Sequence, residues 1–280
     1  MAVKLIQVTS SMICRNGYML RLPKNLANIG PNFEEPDIYN QDSIKKFPLN
    51  AVLDMTDGRL FRYGKHGETS TTPPIARMLA NKNLTPGATG GSTYGYEGSL
   101  DSTSDYAVGS TKLIMNDTTD RVENFYEDGM LAVYPTVAYH EYRIAGSEAA
   151  TTVDDVTIYL DEGLSEALVV DSSGITAYPS MFSEMAYADA AGYETPLGAS
   201  LVQVMTDNYF SWVQRKGRAI ITPTVYFGDS ANERLAMYWS DGTIATAATA
   251  DPSSGYMLVG YLTQRTQSSY GDLEVWLCLE

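Results

Sequence analysis

Hydrophobic and polar positions alternate in short runs along most of this chain, separated by residues that turn a backbone. Beyond residue 106 the runs are Lys112–Met115, Met130–Tyr134, Tyr139–Ile144, Val156–Leu160, Ala167–Val170, Leu201–Met205, Tyr209–Gln214, Arg218–Thr222, Leu235–Trp239, Met257–Leu262 and Leu273–Leu279. A period of two puts successive side chains on opposite faces of a strand. Glu127-Asp128-Gly129, Asp171-Ser172-Ser173-Gly174 and Ser240-Asp241-Gly242 supply turns. The pattern predicts a mainly β protein whose body, residues 107–280, is an antiparallel β-sandwich or barrel. A break near 171–196 would divide that body into two subdomains. Ser180–Gly192 is Ala-rich and is compatible with a helix.

One stretch organises the rest. In Tyr209–Gln214, Tyr209, Ser211 and Val213 point one way while Phe210, Trp212 and Gln214 point the other. Aromatics on both faces predict a central strand. Arg215-Lys216-Gly217 predicts a turn into a second strand, Arg218–Thr222, ended by Pro223.

The leading residues read differently. Residues 1–46 lack a clear period and are punctuated by Pro23, Pro31 and Pro36 with Asn25, Asn28, Asn32 and Asn40. They predict an extended N-terminal arm that gains order by lying on something else. Residues 47–106 predict a hairpin with a primed turn at Asp57-Gly58, then a short helix, then a glycine-rich loop. For the helix, Thr72 caps, Pro73 suits the first turn, and Ile75, Met78 and Leu79 share a face up to about Asn83. The loop from Thr85 lacks the Gly-Lys-Ser/Thr ending of a phosphate loop.

Composition narrows the function classes. At 280 residues with 44% hydrophobic content, such a chain buries roughly 75% of its unfolded surface and needs no staple. Cys14 and Cys278 make no disulfide framework and are expected to be buried free thiols. The formal charge of −15 argues against nucleic-acid binding. It is uneven: residues 1–90 hold 11 Lys/Arg against 7 Asp/Glu, and residues 91–280 hold 8 against 27. A basic leading segment ahead of an acidic body suggests two surfaces with different roles. The N-terminus has no signal-peptide pattern, and no run reaches the roughly 18 apolar residues of a membrane helix. The expectation is a soluble protein made in a cytoplasm.

Candidate chemistry is sparse. His66 and His140 are the only histidines, and neither has metal-site spacing or a Cys/His cluster nearby. No Gly-x-Ser-x-Gly elbow occurs. Glu127-Asp128, Asp154-Asp155 and Asp161-Glu162 could cleave glycosides only at the right separation in space. No loop completes a calcium motif, so these acids read as solvated turn residues. No catalytic residue, metal or cofactor is expected. The tyrosines, 20 in number, could stack on sugars or pack across strands.

A family resemblance adds what the chemistry lacks. Phe47-Pro48-Leu49-Asn50, followed by Asp57-Gly58-Arg59-Leu60-Phe61-Arg62-Tyr63, resembles the opening hairpin of a group of tailed-phage virion proteins. Asp128–Tyr134 with Tyr142–Gly146, Tyr209–Gly217, Asp241–Ile244 and Leu273–Leu277 are similar to their later motifs, in order over residues 45–280. Asn50 departs from their usual glycine, and Gly87–Asp105 resembles an insert. The resemblance implies a place in the virion, on the head. With the absent catalytic constellation and the basic arm ahead of an acidic body, it leads to the expectation of a structural protein that decorates or cements the capsid by binding the major capsid protein, as a homotrimer suited to the lattice's symmetry axes. Arg15, Arg21, Lys24, Phe33, Tyr39, Lys45 and Lys46 are the expected capsid contacts. Two other classes stay open: a head fibre or tail component that binds host glycans through tyrosines, and a glycan depolymerase using two carboxylates.

Overall fold

The computed structural model describes residues 12–15, 17–21, 35–70, 72–81, 96–100, 105–116, 120–134, 139–151, 155–170, 173–187, 195–224, 233–239, 241–247, 256–264 and 273–280. Every regular element among them is a strand, and the sheets are antiparallel. The mainly β class therefore holds. The first strands are β1 (Met12–Arg15), β2 (Tyr18–Arg21), β3 (Val52–Met55), β4 (Leu60–Lys65), β5 (Met78–Asn81) and β6 (Tyr96–Ser99). Then come β7 (Lys112–Met115), β8 (Met130–Tyr134), β9 (His140–Ser147), β10 (Val156–Leu160), β11 (Gly174–Tyr178) and β12 (Met185–Ala186). The last are β13 (Pro196–Ser200), β14 (Phe210–Ile221), β15 (Leu235–Tyr238), β16 (Ile244–Thr246), β17 (Leu258–Gln264) and β18 (Leu273–Cys278).

The chain forms two units. Met1–Lys82 and Glu184–Glu280 make one, discontinuous in sequence, and Asn83–Ser183 is inserted into it. The division falls at Lys82 and Glu184 because strands on either side of the insertion pair with each other. The strands that lead out of and back into the discontinuous unit share one ladder: Met185 lies opposite Asn81 and Ala186 opposite Ala80. The charge sorts by unit more sharply than by position along the chain. Residues 83–183 carry 3 Lys/Arg against 16 Asp/Glu, and the remainder carries 16 against 18.

In the discontinuous unit the sheet runs β1-β2-β3-β4-β14-β18-β17-β15-β16, with β13 and β5 branching from β14. The branch exists because β14 is 12 residues long and changes partners along its length. Phe210–Lys216 pairs with β4, and Lys216–Ile221 pairs with β18. So Arg215-Lys216-Gly217 makes no turn; it is a bulge in one continuous strand. Gly217 takes φ +86°, and a Cβ there would meet the Gly58 carbonyl oxygen at 2.7 Å. Gln214, buried at that point, donates from Nε2 to the Lys216 and Arg218 carbonyls at 3.1 and 2.8 Å, satisfying groups the bulge frees. Past β14, the Thr224 N–H bonds to Ile244 and the Ile244 N–H to Thr222, closing β14-β18-β17-β15-β16 on itself. Ala219, Ile221, Tyr238, Val259, Val275 and Leu277 fill that closure.

The N-terminal half of β14 carries a second core of Leu20, Ile38, Phe47, Leu53, Phe61, Tyr63 and Trp212. Trp212 lies 5.0 Å from Tyr63 and 5.2 Å from Phe47, ring centre to ring centre. Leu20 and Ile38 come from the segment expected to be an arm. Tyr18–Arg21 instead pairs with β3 in full register, and Asp42 bridges Phe210. Leu20 and Ile38 find partners in their own chain, so Met12–Arg15 and Tyr18–Arg21 belong to the sheet and residues 35–46 reach it through the Asp42 bridge.

Two local expectations change for stated reasons. The β3–β4 turn is not primed: the Gly58 N–H donates to Met55 while Gly58 alone is left-handed at φ +86°. That is a three-residue loop with a glycine bulge. No helix follows Thr72, because Pro73 and Pro74 deny the first turn its extension and Ala76 stands at φ +60°. Met78–Asn81 is strand β5, buried at all four positions between β12 and β13, which erases the alternation expected of a half-exposed strand. Within Ser180–Gly192 the described residues form turns and β12; 188–192 lie outside them.

The inserted unit is a six-stranded sheet, β6-β11-β8-β9-β10-β7, whose edges meet at a Leu100–Met115 bridge. Leu113, Met115, Leu131, Val133, Ile144, Val156, Ile158 and Ile175 fill it, all at most 1% exposed. Each contributes on the order of 1.5–3 kcal/mol relative to exposure.

Candidate functional site

The sequence alternation of Lys216, Arg218 and Ile220 with Gly217, Ala219 and Ile221 turns the first three outward on β14. Register then sets what lies beside them. Arg218 is opposite Trp276, Trp276 opposite Tyr261, and Tyr261 opposite Leu235, so one row crosses β14, β18, β17 and β15. Ile220 is 45% exposed, Tyr261 45%, Leu235 47%, and the nearby Leu258 51%. Trp276 is half-buried. The Arg218 guanidinium bonds the Glu274 carboxylate, which also accepts from Thr263 Oγ1 at 2.8 Å. The result is an apolar band with an ion pair at its edge, on the outside of a strand closure whose inside is full. Exposed apolar side chains scattered singly need no explanation, but a contiguous set is the mark of an interaction surface.

The expected contact residues do not form one free arm. Arg21 ends β2 and pairs with Asp54 at 2.9 Å. Lys46 pairs with Asp42 at 2.7 Å, and its backbone N–H donates to the Tyr63 hydroxyl. Tyr39 and Ile44 are exposed and Lys45 is half-buried. Arg15 sits on β1; Lys24 and Phe33 lie outside the described residues. What the structure brings together is the opposite end of the chain, β14 to β18. The signal was present as outward Ile220, Leu235 and Tyr261, but their adjacency depends on pairing registers that no local pattern encodes.

The histidines take different roles. His66 is fully buried; Nδ1 donates to the Thr206 carbonyl at 3.2 Å and Nε2 accepts from Ser211 Oγ at 2.8 Å. Burial pulls its pKa down to about 4. Ser211 is equally buried, so this pair ties β4's end to β14 and meets no solvent. His140 Nε2 lies 3.2 Å from Glu166 Oε2, and Nδ1 lies 3.4 Å from Ser165 Oγ. The Ser165 hydroxyl has a nearer partner in the Tyr142 hydroxyl at 2.7 Å. A nucleophile poised on histidine would reverse that order.

Asp128 and Asp161 are engaged rather than free turn acids. Both bond Arg143, at 3.4 Å for Asp161, whose pKa is raised by burial despite that arginine. Cys14 and Cys278 are exposed, correcting the expectation of buried thiols; each sits on an outward position of a strand. At the bulge, Arg215 and Arg62 hold Glu280 Oε1 at 2.7 and 2.9 Å, and the two guanidinium groups keep that carboxyl ionised below its ordinary range against the cost of burial. Asn50 carries φ +68°, the left-handed backbone that glycine or asparagine adopts. No protein-family model, curated protein or solved structure matches the chain.

Proposed function

We propose that this is a structural protein of a tailed-phage virion, one that decorates or cements the capsid by docking on the major capsid protein. The family resemblance over residues 45–280 motivates the virion setting. The observation that carries the binding role is the outward band of Ile220, Trp276, Tyr261 and Leu235 across four strands. A band of this kind supports association without chemistry: it buries apolar area on a partner and leaves the Arg218–Glu274 pair at the rim.

Adding purified full-length protein to particles lacking it, followed by sedimentation, tests the reading. Wild type is expected to co-sediment, and Tyr261→Glu or Leu235→Glu to lose at least about tenfold in apparent affinity. Light scattering of the same variants separates capsid docking from self-association into the expected trimer. Wild type that stays in the supernatant overturns the proposal.

A further inference from the structure

A second surface lies on the inserted unit. The outward face of β8 and β11, with the residue just before β9, carries Tyr134, Tyr178 and Tyr139, 45%, 46% and 53% exposed. Register places them on one face: Tyr134 lies opposite Gly174 on β11, Tyr178 lies opposite Met130 at the other end of β8, and Glu141 of β9 lies opposite Ala132 in the row between. The Tyr134 and Tyr139 rings are 5.4 Å apart, centre to centre. The Tyr139 hydroxyl donates to Glu141 Oε1, and Tyr134 and Tyr178 are both near enough to act on that phenol electrostatically. Ala132 and Thr176 share this face and are nonetheless buried. Gly174 adds no side chain to that floor.

The fold does not require these rings. The interior is filled by Leu131, Val133, Ile175 and their neighbours, and none of the three tyrosines belongs to that core. Two adjacent half-exposed rings, a third further along the same face and the Glu141 carboxylate in the row between make an amphipathic platform: apolar ring faces with hydroxyl and carboxylate oxygens. Pyranose sugars are built the same way, with apolar C–H faces and a rim of hydroxyls. Charge selects among glycans. The unit carries 3 Lys/Arg against 16 Asp/Glu, so its field repels sialylated, sulfated or phosphorylated polymers.

We propose that the Tyr134–Tyr139–Tyr178 face binds a neutral pyranose glycan, with the rings stacking on its C–H faces and Glu141 accepting from its hydroxyls. The site stands apart from the β14–β18 band and does not depend on the virion reading. The full-length chain would be applied to an array of neutral hexose and N-acetylhexosamine oligosaccharides beside sialylated and sulfated ones. The strongest neutral oligosaccharide would then be titrated by calorimetry. Neutral glycans are expected to bind, Tyr134→Ala and Tyr178→Ala to weaken the Kd about tenfold or more, and Tyr178→Phe to retain most of the affinity. Tyr159→Ala, on β10 beside Lys112, should bind like wild type. Should an alanine variant melt early, Glu141→Gln probes the same site with the rings intact and is expected to weaken binding as well. The proposal fails if no neutral glycan binds, if only anionic glycans bind, or if the platform variants match wild type.

Discussion

Among the described residues, the two units bury polar side chains to different depths. The most deeply buried polar side chains, His66, Asn81, Ser200, Ser211 and Gln214, all at most 1% exposed, belong to the discontinuous unit. That unit is close to neutral, with 16 Lys/Arg against 18 Asp/Glu. The inserted unit also buries polar side chains, but less deeply: among the described residues Arg121, Ser147, Thr157, Ser173, Thr176, Ser180 and Ser183 keep 3–8% exposure. The contrast follows from topology. A sheet whose central strand changes partners midway breaks its own ladder, and side chains such as Gln214 must reach in to complete the hydrogen bonding. In the small sheet that closes edge to edge, Leu, Ile, Val and Met take the deepest positions and the polar side chains stop nearer its surface.

The largest expected effect breaks the discontinuous unit alone. Trp212→Ala removes the centre of an aromatic cluster and should cost about 3–5 kcal/mol. Trp212, Trp239 and Trp276 all lie in that unit, so tryptophan fluorescence in a denaturant melt follows it selectively. A loss of a few tenths of a kcal/mol would deny Trp212 its central place.

The next effect depends on pH. His66 has a folded pKa of about 4 against 6.5 unfolded, so the unfolded state binds the extra proton between those values. The neutral-histidine contribution is complete above pH 6.5, declines as pH falls, and is lost by about pH 4, a total of roughly 3 kcal/mol. Melts from pH 7 to 4 should show the fluorescence transition weakening more steeply in wild type than in His66→Gln. Equal slopes would mean that His66 titrates alike in the folded and unfolded chain, so that burial does not lower its pKa.

The smallest effect sharpens the comparison. Replacing residues 83–183 by a short Gly/Ser linker should change the stability of the discontinuous unit by less than about 1 kcal/mol, since loop length enters only logarithmically. The β5–β12 ladder already holds the two ends side by side. Failure of the excised chain to give a cooperative fluorescence transition would show that the units stabilise each other.

Much of the strand content was legible locally. Lys112–Met115, Met130–Tyr134 and Val156–Leu160 match β7, β8 and β10, each of which sets one face on the core and keeps at least one exposed position on the other. Where both faces are buried the alternation disappears, which hid β5 and β13. Bulges hid more: β14 reads as two strands with a turn because Arg-Lys-Gly looks the same in a turn and in a bulge. Leu201–Met205 and Ala167–Val170 alternate but make only isolated bridges, at Met205 and Leu168. The insertion was invisible for a related reason. Nothing near Lys82 or Glu184 announces that β4 will find its partner at β14. Both surfaces argued above share that limit, since each depends on which strands stand side by side.

The separation between His66 and Ser211, 145 positions, has a consequence for how the protein is made. A ribosome adding 5–20 residues per second needs on the order of ten seconds to bridge that interval. Throughout it, the first four strands have emerged while the long strand that completes them has not been synthesised. The acidic barrel is translated whole in the same interval and holds its full set of ladder partners. Order of manufacture therefore runs from the middle outward, with β4 presenting an unsatisfied edge until late. A nascent chain in that state is a substrate for chaperones and a liability for premature pairing with its neighbours on a polysome.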